Sequence, residues 1–178
     1  MVLEKPEQLR LFFALTPPVE LARFFHHLAM TDLLECRGRQ LKPEQIHLTL
    51  RFIGSVDRDT ATCLQQAAGN ITLPRFELEF DTLGYWPRPR VVWSMPSRTP
   101  AALSSLAAQL EQVCVSCGLE AEKRGYVPHL TLLRNARQAP VRGTMSPLVW
   151  PVEAFALIRS ETLPQGAVYT ELARWPLQ

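Results

Sequence analysis

Ile46-His47-Leu48-Thr49-Leu50-Arg51-Phe52-Ile53, followed by Gly54, and Pro128-His129-Leu130-Thr131-Leu132-Leu133-Arg134 are the two stretches that decide how this chain folds. Both contain His-Leu-Thr-Leu, at 47–50 and 129–132, in a chain with only 4 histidines. At ordinary composition a given histidine precedes Leu-Thr-Leu about once in a thousand, so the repeat marks two equivalent halves. Each stretch is rich in apolar and β-branched residues and reads as a strand, the first ending at Gly54. Side chains alternate faces along a strand. His47 and Thr49 therefore share one face, and Leu48 and Leu50 take the core side. His129 and Thr131 repeat this against Leu130 and Leu132. Phe52 has core parity unless the strand ends or bulges before it.

Two imidazoles and two hydroxyls converging on one cleft suit a particular chemistry. Imidazole titrates near neutrality, so one histidine can accept a proton while the other donates one. Displacement at a phosphodiester needs a base for the entering oxygen and an acid for the leaving oxygen, on opposite sides of the phosphorus. The two threonine hydroxyls can donate to the non-bridging oxygens. Such a site needs no metal or other cofactor, and its pH–rate profile is expected to be bell-shaped with limbs near neutrality. A two-histidine zinc site is the competing reading, but zinc usually takes three or four protein ligands. The other histidines, His26 and His27, fall on an expected helix, and no Asp or Glu adjoins either motif.

Working outward, the order strand–helix–His-strand occurs twice. Leu9 to Leu15 reads as a strand closed by Thr16-Pro17-Pro18. Leu21, Phe24, Phe25 and Leu28 then give the stripe of a helix from about Val19 to Met30. Asp57 caps a helix running to about Asn70. Phe76, Leu78 and Phe80 alternate with Glu77 and Glu79 as a half-exposed strand, and Val91 to Met95 is another. Thr99-Pro100 reads as an N-cap followed by proline at the first helical position. Leu103, Leu106, Ala107, Leu110, Val113 and Cys114 form the stripe of the helix after it, which ends near Gly118. Ala136 to Pro151, with four prolines or glycines and little periodicity, reads as a long loop beside the second motif. Strands near Val152–Arg159 and Val168–Trp175 complete the chain. The expected fold is α+β: one two-lobed domain over 1–178. Its pseudo-symmetric lobes carry mainly antiparallel sheet backed by helices, around a central cleft.

Composition narrows the class. The chain has 178 residues and a formal net charge of +2, which excludes a polycationic nucleic-acid binder. Of its 19 basic residues only Lys5, Lys42 and Lys123 are lysines, and arginine grips phosphate bidentately and stacks on bases. Lys42 and Arg124 lie five residues before a motif histidine, Phe52 and Arg134 five after. Phe52 and Arg134 are candidates for holding a base between them. No apolar run approaches membrane-spanning length. Glu4 and Glu7 leave no leader pattern, so a cytoplasmic monomer is expected. Cys36, Cys63, Cys114 and Cys117 do not read as a disulfide framework, and Cys114 with Cys117 reads as a buried reduced pair.

The paired His-x-Thr-x motifs resemble those of the two-histidine phosphoesterase superfamily. Within it the chain is similar to the RNA 2',3'-cyclic phosphodiesterases, formerly called 2'-5' RNA ligases. Arg10-Leu11-Phe12-Phe13-Ala14-Leu15 and the residues flanking both motifs carry this closer likeness, which spans nearly the whole chain. The resemblance implies opening of a 2',3'-cyclic phosphate at an RNA end to a 2'-phosphate. It also implies reversible 2'-5' joining of tRNA-half-like fragments. It implies His47 as the acid for the leaving 3'-oxygen and His129 as the base, with Thr49 and Thr131 on the phosphate. Two alternatives remain beside it. One is the same chemistry on small cyclic nucleotides or 2'-5' oligoadenylate. The other is a non-catalytic RNA-binding module.

Overall fold

Leu11, Phe13 and Leu15 face one way on the first strand and Phe12 and Ala14 the other, and all five are buried. A strand apolar on both sides has to run inside a sheet that is covered on both faces. The computed structural model, which describes residues 8–164 and 166–178, puts it there. Its elements in chain order are β1 (Leu9–Leu15), α1 (Val19–Thr31), β2 (Arg39–Gln40), β3 (Leu48–Val56), α2 (Arg58–Ala68), β4 (Phe76–Trp86), β5 (Val91–Pro96), α3 (Ala101–Ser116), β6 (Leu130–Arg134), β7 (Thr144–Val152), β8 (Ala154–Leu163) and β9 (Gly166–Pro176).

The strands pair antiparallel in the order β7-β4-β5-β6-β3-β1-β8-β9, with β2 added to β6. The doubling appears in this order. β3-β1-β8-β9 make one lobe and β6-β5-β4-β7 the other, so in each the strand preceding the helix lies beside the His-strand. The lobes join where Leu48 pairs with Leu130, giving a single curled sheet. On one face α1 contributes Phe25, Leu28 and Ala29, and α3 contributes Leu103, Leu106, Leu110 and Val113, to the core that contains Leu11, Phe13 and Leu15. Each such large side chain stabilises the fold by roughly 1.5–3 kcal/mol. Phe12, Ala14, Ala156 and Ile158 form a smaller cluster against Tyr169 on the other face. That face carries the cleft.

Several boundaries differ from expectation. β3 does not stop at Gly54 but continues to Val56. Gly54 adopts φ +88° beside a register shift against β1, a conformation open to glycine, so it bends the strand without ending it. The segment read as a loop before Pro151 contains β7. Its Pro147 and Pro151 are exposed, and β7 is an edge strand, where a missing N–H breaks no ladder. α3 starts one residue later than expected, flanked by Pro100 with no side-chain cap, whereas Asp57 caps α2 by accepting from the Thr60 N–H at 2.8 Å. Phe24 is exposed, and α1 buries Ala22 and Ala29 with Phe25 and Leu28. The expected reduced pair is also corrected. Cys117 is bonded to Cys63 of α2 because α3 ends against that helix, with the two Cα atoms 5.9 Å apart; Cys36 and Cys114 are free and buried. Glu4, Lys5 and Glu7 lie outside the described residues. No described helix is long and apolar enough to cross a membrane.

Gly84 shows how tightly the second lobe is packed. It pairs with Trp93 across β4 and β5, and a Cβ there would lie 2.1 Å from the indole ring. Gly84→Ala is expected to lower stability by about 1–3 kcal/mol. This is to be read as a lower urea midpoint at unchanged slope. An unmoved midpoint would show that the indole does not rest on Gly84.

Candidate active site

The two histidines are held by the same local device. His47 follows a short turn over Pro43–Gln45, and its Nδ1 lies 2.8 Å from the Gln45 carbonyl. His129 Nδ1 lies 2.9 Å from the Val127 carbonyl, again two residues back. A carbonyl only accepts, so in both rings Nδ1 must carry the hydrogen. Nε2 is then the free nitrogen, a base in the neutral ring and an acid in the charged one. The Gln45 amide anchors the first turn by donating to the Ala167 carbonyl at 2.8 Å.

Aromatic rings fix the planes. Phe12 and Tyr169 pack on His47 with centroids 4.8 and 5.1 Å away, and Trp86 stands edge-on to His129 at 4.6 Å. These walls also exclude water. Burial pushes the His47 pKa down to about 4, opposed by the Gln45 hydrogen bond and assisted by the positive charges of Arg134 and His129. His129 is lowered too, first by burial and also by Arg134, against the Val127 hydrogen bond. A charge at either ring is therefore felt by a shared set of neighbours.

Register sets the relation between the rings. Leu48 opposite Leu130 is the joint between β3 and β6. One step either way along antiparallel strands sets His47 beside Thr131 and Thr49 beside His129. The two histidines are thus diagonal partners, with backbones roughly 7–8 Å apart, each next to the other motif's threonine. Thr49 pairs with Ala14, which belongs to the cleft-face cluster, so this set faces away from the helices.

Phe52 and Arg134 reach the cleft by a common irregularity. Each motif has a one-residue register shift three positions after its histidine, at Leu50 against β1 and at Leu132 against β5. An extra residue reverses parity beyond it. Phe52 consequently pairs with Phe12, is 46 % exposed, and has the Arg10 guanidinium 5.3 Å from its ring centroid. Arg134 is exposed, and its charge reaches both imidazoles. The idea that these two hold one base between them is corrected by the register. They lie four residues beyond Leu48 and Leu130 in opposite directions, roughly 26 Å apart along the strands at strand rise, so they mark the two ends of the cleft.

Other residues of the site carried no signal in the sequence, because tertiary contact alone brings them in. Arg51 donates through Nε to the Glu111 carboxylate of α3, through Nη1 to the Phe52 carbonyl, and through Nη2 to the Glu120 carbonyl at 2.8 Å. Glu111 also accepts from the Glu122 N–H at 2.8 Å. This network ties the segment leading into the second motif to the strand of the first. Of the pair noted five residues before the histidines, Lys42 begins the Pro43–Gln45 turn and Arg124 is ion-paired with Glu122. A cavity of about 690 Å³ opens at the His129 end, walled by Thr49, Phe52, Trp86, Tyr126 and His129. Among the described residues no group of three or more His, Cys, Asp or Glu side chains could hold a metal ion. Within those residues the two imidazoles have no third protein donor for zinc.

The chain with this geometry matches the family model for the 2'-5' RNA ligase superfamily over residues 17–163. It is 35% identical to the RNA 2',3'-cyclic phosphodiesterase of Escherichia coli, over 96% of this chain and 98% of that one. It is 34% identical to the enzyme of the same name from Thermus thermophilus, over 96% and 91%. The crystal structure of E. coli LigT complexed with 3'-AMP superposes with a TM-score of 0.87 at 34% identity, covering 97% of this chain and 99% of that one.

Proposed function

This chain belongs to the 2'-5' RNA ligase superfamily and is a cyclic phosphodiesterase, and from that premise we propose that it opens 2',3'-cyclic phosphates at RNA ends to 2'-phosphomonoesters, by proton transfer through His47 and His129 without a metal ion. The observation that carries the reading is the pair of diagonal imidazoles, each with Nδ1 engaged by a carbonyl and Nε2 free. With the cyclic phosphate between them, neutral His129 takes a proton from water as its oxygen bonds to phosphorus. The P–O3' bond breaks in line, and charged His47 gives its proton to O3'. Thr49 and Thr131 donate to the non-bridging oxygens as charge builds there. Phe52 and Arg134 bind RNA at opposite ends of the cleft, by stacking and by phosphate contact. With an RNA 5'-hydroxyl in place of water, the same groups in the same roles join tRNA-half-like fragments 2'-5'. Both motifs come from one chain, which supports a monomer; the proposed compartment is the cytoplasm.

The test is to incubate the protein with a dinucleotide ending in 2',3'-cyclic phosphate and excess chelator, and to follow phosphorus NMR. Turnover to the 2'-phosphate supports the proposal, and a 3'-phosphate product reverses the leaving oxygen. Binding without turnover leaves a binding module. Faster turnover of cyclic mononucleotides than of RNA fragments favours a small-molecule substrate.

The pKa shifts move the pH dependence from the limbs near neutrality expected above. The working enzyme has His47 charged and His129 neutral, the minority form of the singly charged free enzyme because burial lowers His47 more strongly than His129. Both free-enzyme pKa values lie below the ordinary 6.5, that of His47 at about 4. The kcat/KM profile should therefore be a bell with its top below pH 6.5, falling on the acid side as both rings charge and on the alkaline side as both lose their protons. A bound phosphodiester anion stabilises imidazolium, so the kcat bell lies at higher pH. A kcat/KM optimum above about pH 7.5 would contradict the burial of these rings.

A further inference from the structure

Resting on that reading, we infer that an arginine surface outside the cleft, made by Arg37, Arg88, Arg90 and Arg137, grips the phosphates of the RNA that runs 5' from the cyclic end, so that the enzyme favours RNA several nucleotides long. Three segments assemble this surface. β2 and β6 set Arg39 directly opposite Arg134. β6 then runs out to Arg137, whose N–H donates to the Cys36 carbonyl at 2.9 Å, next to Arg37. On the other side of β6, the turn between β4 and β5 carries Arg88 and Arg90, and the Ala136 N–H donates to the Arg90 carbonyl at 3.0 Å. Neighbouring strands lie about 4.8 Å apart, so the three segments span roughly 10 Å. All six arginines are exposed.

Two features mark a binding surface. The first is unmatched charge. Arg51, Arg124 and Arg174 each hold a glutamate, whereas among the described residues none of these six guanidinium groups has a hydrogen-bond or ion-pair partner. Like charges this close repel, and a polyanion relieves the repulsion. The second is the backbone. Arg37 at φ +51°, Arg90 at φ +65° and Asn135 at φ +56° are the only non-glycine residues with positive φ among those described, and all three fall here. Asparagine takes that conformation readily, while arginine is strained in it. Strain of this kind persists where the surroundings hold it, and it gathers at ligand contacts. Backbone bonds hold it here, from the Arg37 N–H to the Leu34 carbonyl at 3.1 Å and from the Arg90 N–H to the Trp86 carbonyl at 2.8 Å.

The displacement sets the direction of the RNA. In-line attack puts the leaving O3' beside the acid, so the ribose that carries O3' lies toward His47. Leu48 opposite Leu130 brings His47 beside Thr131, at the Arg134 end of the cleft. An RNA leaving by that end passes Arg134 and Arg39 and meets the arginines beyond. The planar guanidinium pairs with phosphate bidentately whatever the base, so the surface reads length and not sequence.

The test compares a dinucleotide with an octanucleotide, both ending in 2',3'-cyclic phosphate. At low salt the wild type should have kcat/KM about tenfold or more higher on the octanucleotide, through KM. Its log kcat/KM should fall with log salt more steeply on the octanucleotide, by about 0.7 in slope for each added phosphate contact. The variant combines Arg37→Asn, Arg88→Gln, Arg90→Asn and Arg137→Gln, with asparagine where φ is positive; Arg39 and Arg134 stay. It should lose most of the length advantage and the extra slope while keeping wild-type kcat/KM on the dinucleotide. If dinucleotide turnover shows that the fourfold variant is misfolded, Arg88→Gln with Arg137→Gln reads the same loss in smaller measure. Equal kcat/KM and equal slopes for the two lengths in the wild type would overturn the surface. A length advantage that survives the variants would do the same. Phosphatidylglycerol vesicles that bind the wild type and not the variant, with the length advantage intact, would make the surface a membrane contact and also overturn it. If the wild type opens neither substrate, the phosphodiesterase proposal itself fails. Fluorescence anisotropy of the octanucleotide then decides the surface alone: weaker binding by the variant supports it, and equal binding overturns it.

Discussion

His47→Ala is expected to slow opening of an RNA 2',3'-cyclic phosphate by about 10²–10⁴-fold, and His129→Ala by a similar factor, since each removes one positioned proton-transfer group. The double variant should be little worse than either single one, because acid and base act as a unit in one displacement. The leaving group separates their roles. When O3' is replaced by sulfur the departing atom needs no proton. His47→Ala should then recover most of its rate on the thio substrate, while His129→Ala stays slow. Rescue of His129→Ala in place of His47→Ala would exchange acid and base. Near-wild-type turnover in either variant on the ordinary substrate would remove that histidine from the mechanism. Neither change should unfold the protein, because each ring makes a single hydrogen bond, to a carbonyl that lies next to the open cleft.

Thr49→Val and Thr131→Val should each lower kcat about 10²-fold or more, the loss typical of one donor to developing charge. Valine keeps the branched shape and strand preference, so the hydroxyl alone is lost. The effect belongs in kcat more than in KM, because charge on the non-bridging oxygens grows on the way to the transition state. A rise in KM at constant kcat would show that the hydroxyls only bind ground-state phosphate. Each threonine sits beside the other motif's histidine. Pairing Thr49→Val with His129→Ala should therefore show stronger coupling than pairing Thr49→Val with His47→Ala, although the latter two are nearer in sequence.

The candidate site was legible because its signal is local and doubled. Period-2 alternation needs no knowledge of the partner strand, and Leu48, Leu50, Leu130 and Leu132 are buried while both threonines are left partly open. The six-residue stripe of α3 was legible for the same reason, and all six side chains are buried. Phe52 was ambiguous because its face depends on a bulge at Leu50, which exists only against β1. β7 was missed because proline signals a break in isolation but is tolerated where the neighbour on one side is solvent, and edge position is a property of the whole sheet. The Cys63–Cys117 bond joins residues 54 apart in sequence on two helices whose packing no spacing rule foretells.

Alternation, the helical stripe and the twin His-Leu-Thr-Leu motifs are short-range properties, so the amino-acid order alone determined an α+β duplication with two histidines and two threonines turned from the core. Which threonine serves which histidine, and that Phe52 and Arg134 stand at opposite ends of one cleft, were decided by the Leu48–Leu130 register and the two bulges. The cavity beside His129 was decided by α3 and the Arg51–Glu111 tie. Those features depend on contacts between residues tens of positions apart, which exist only once the sheet has closed.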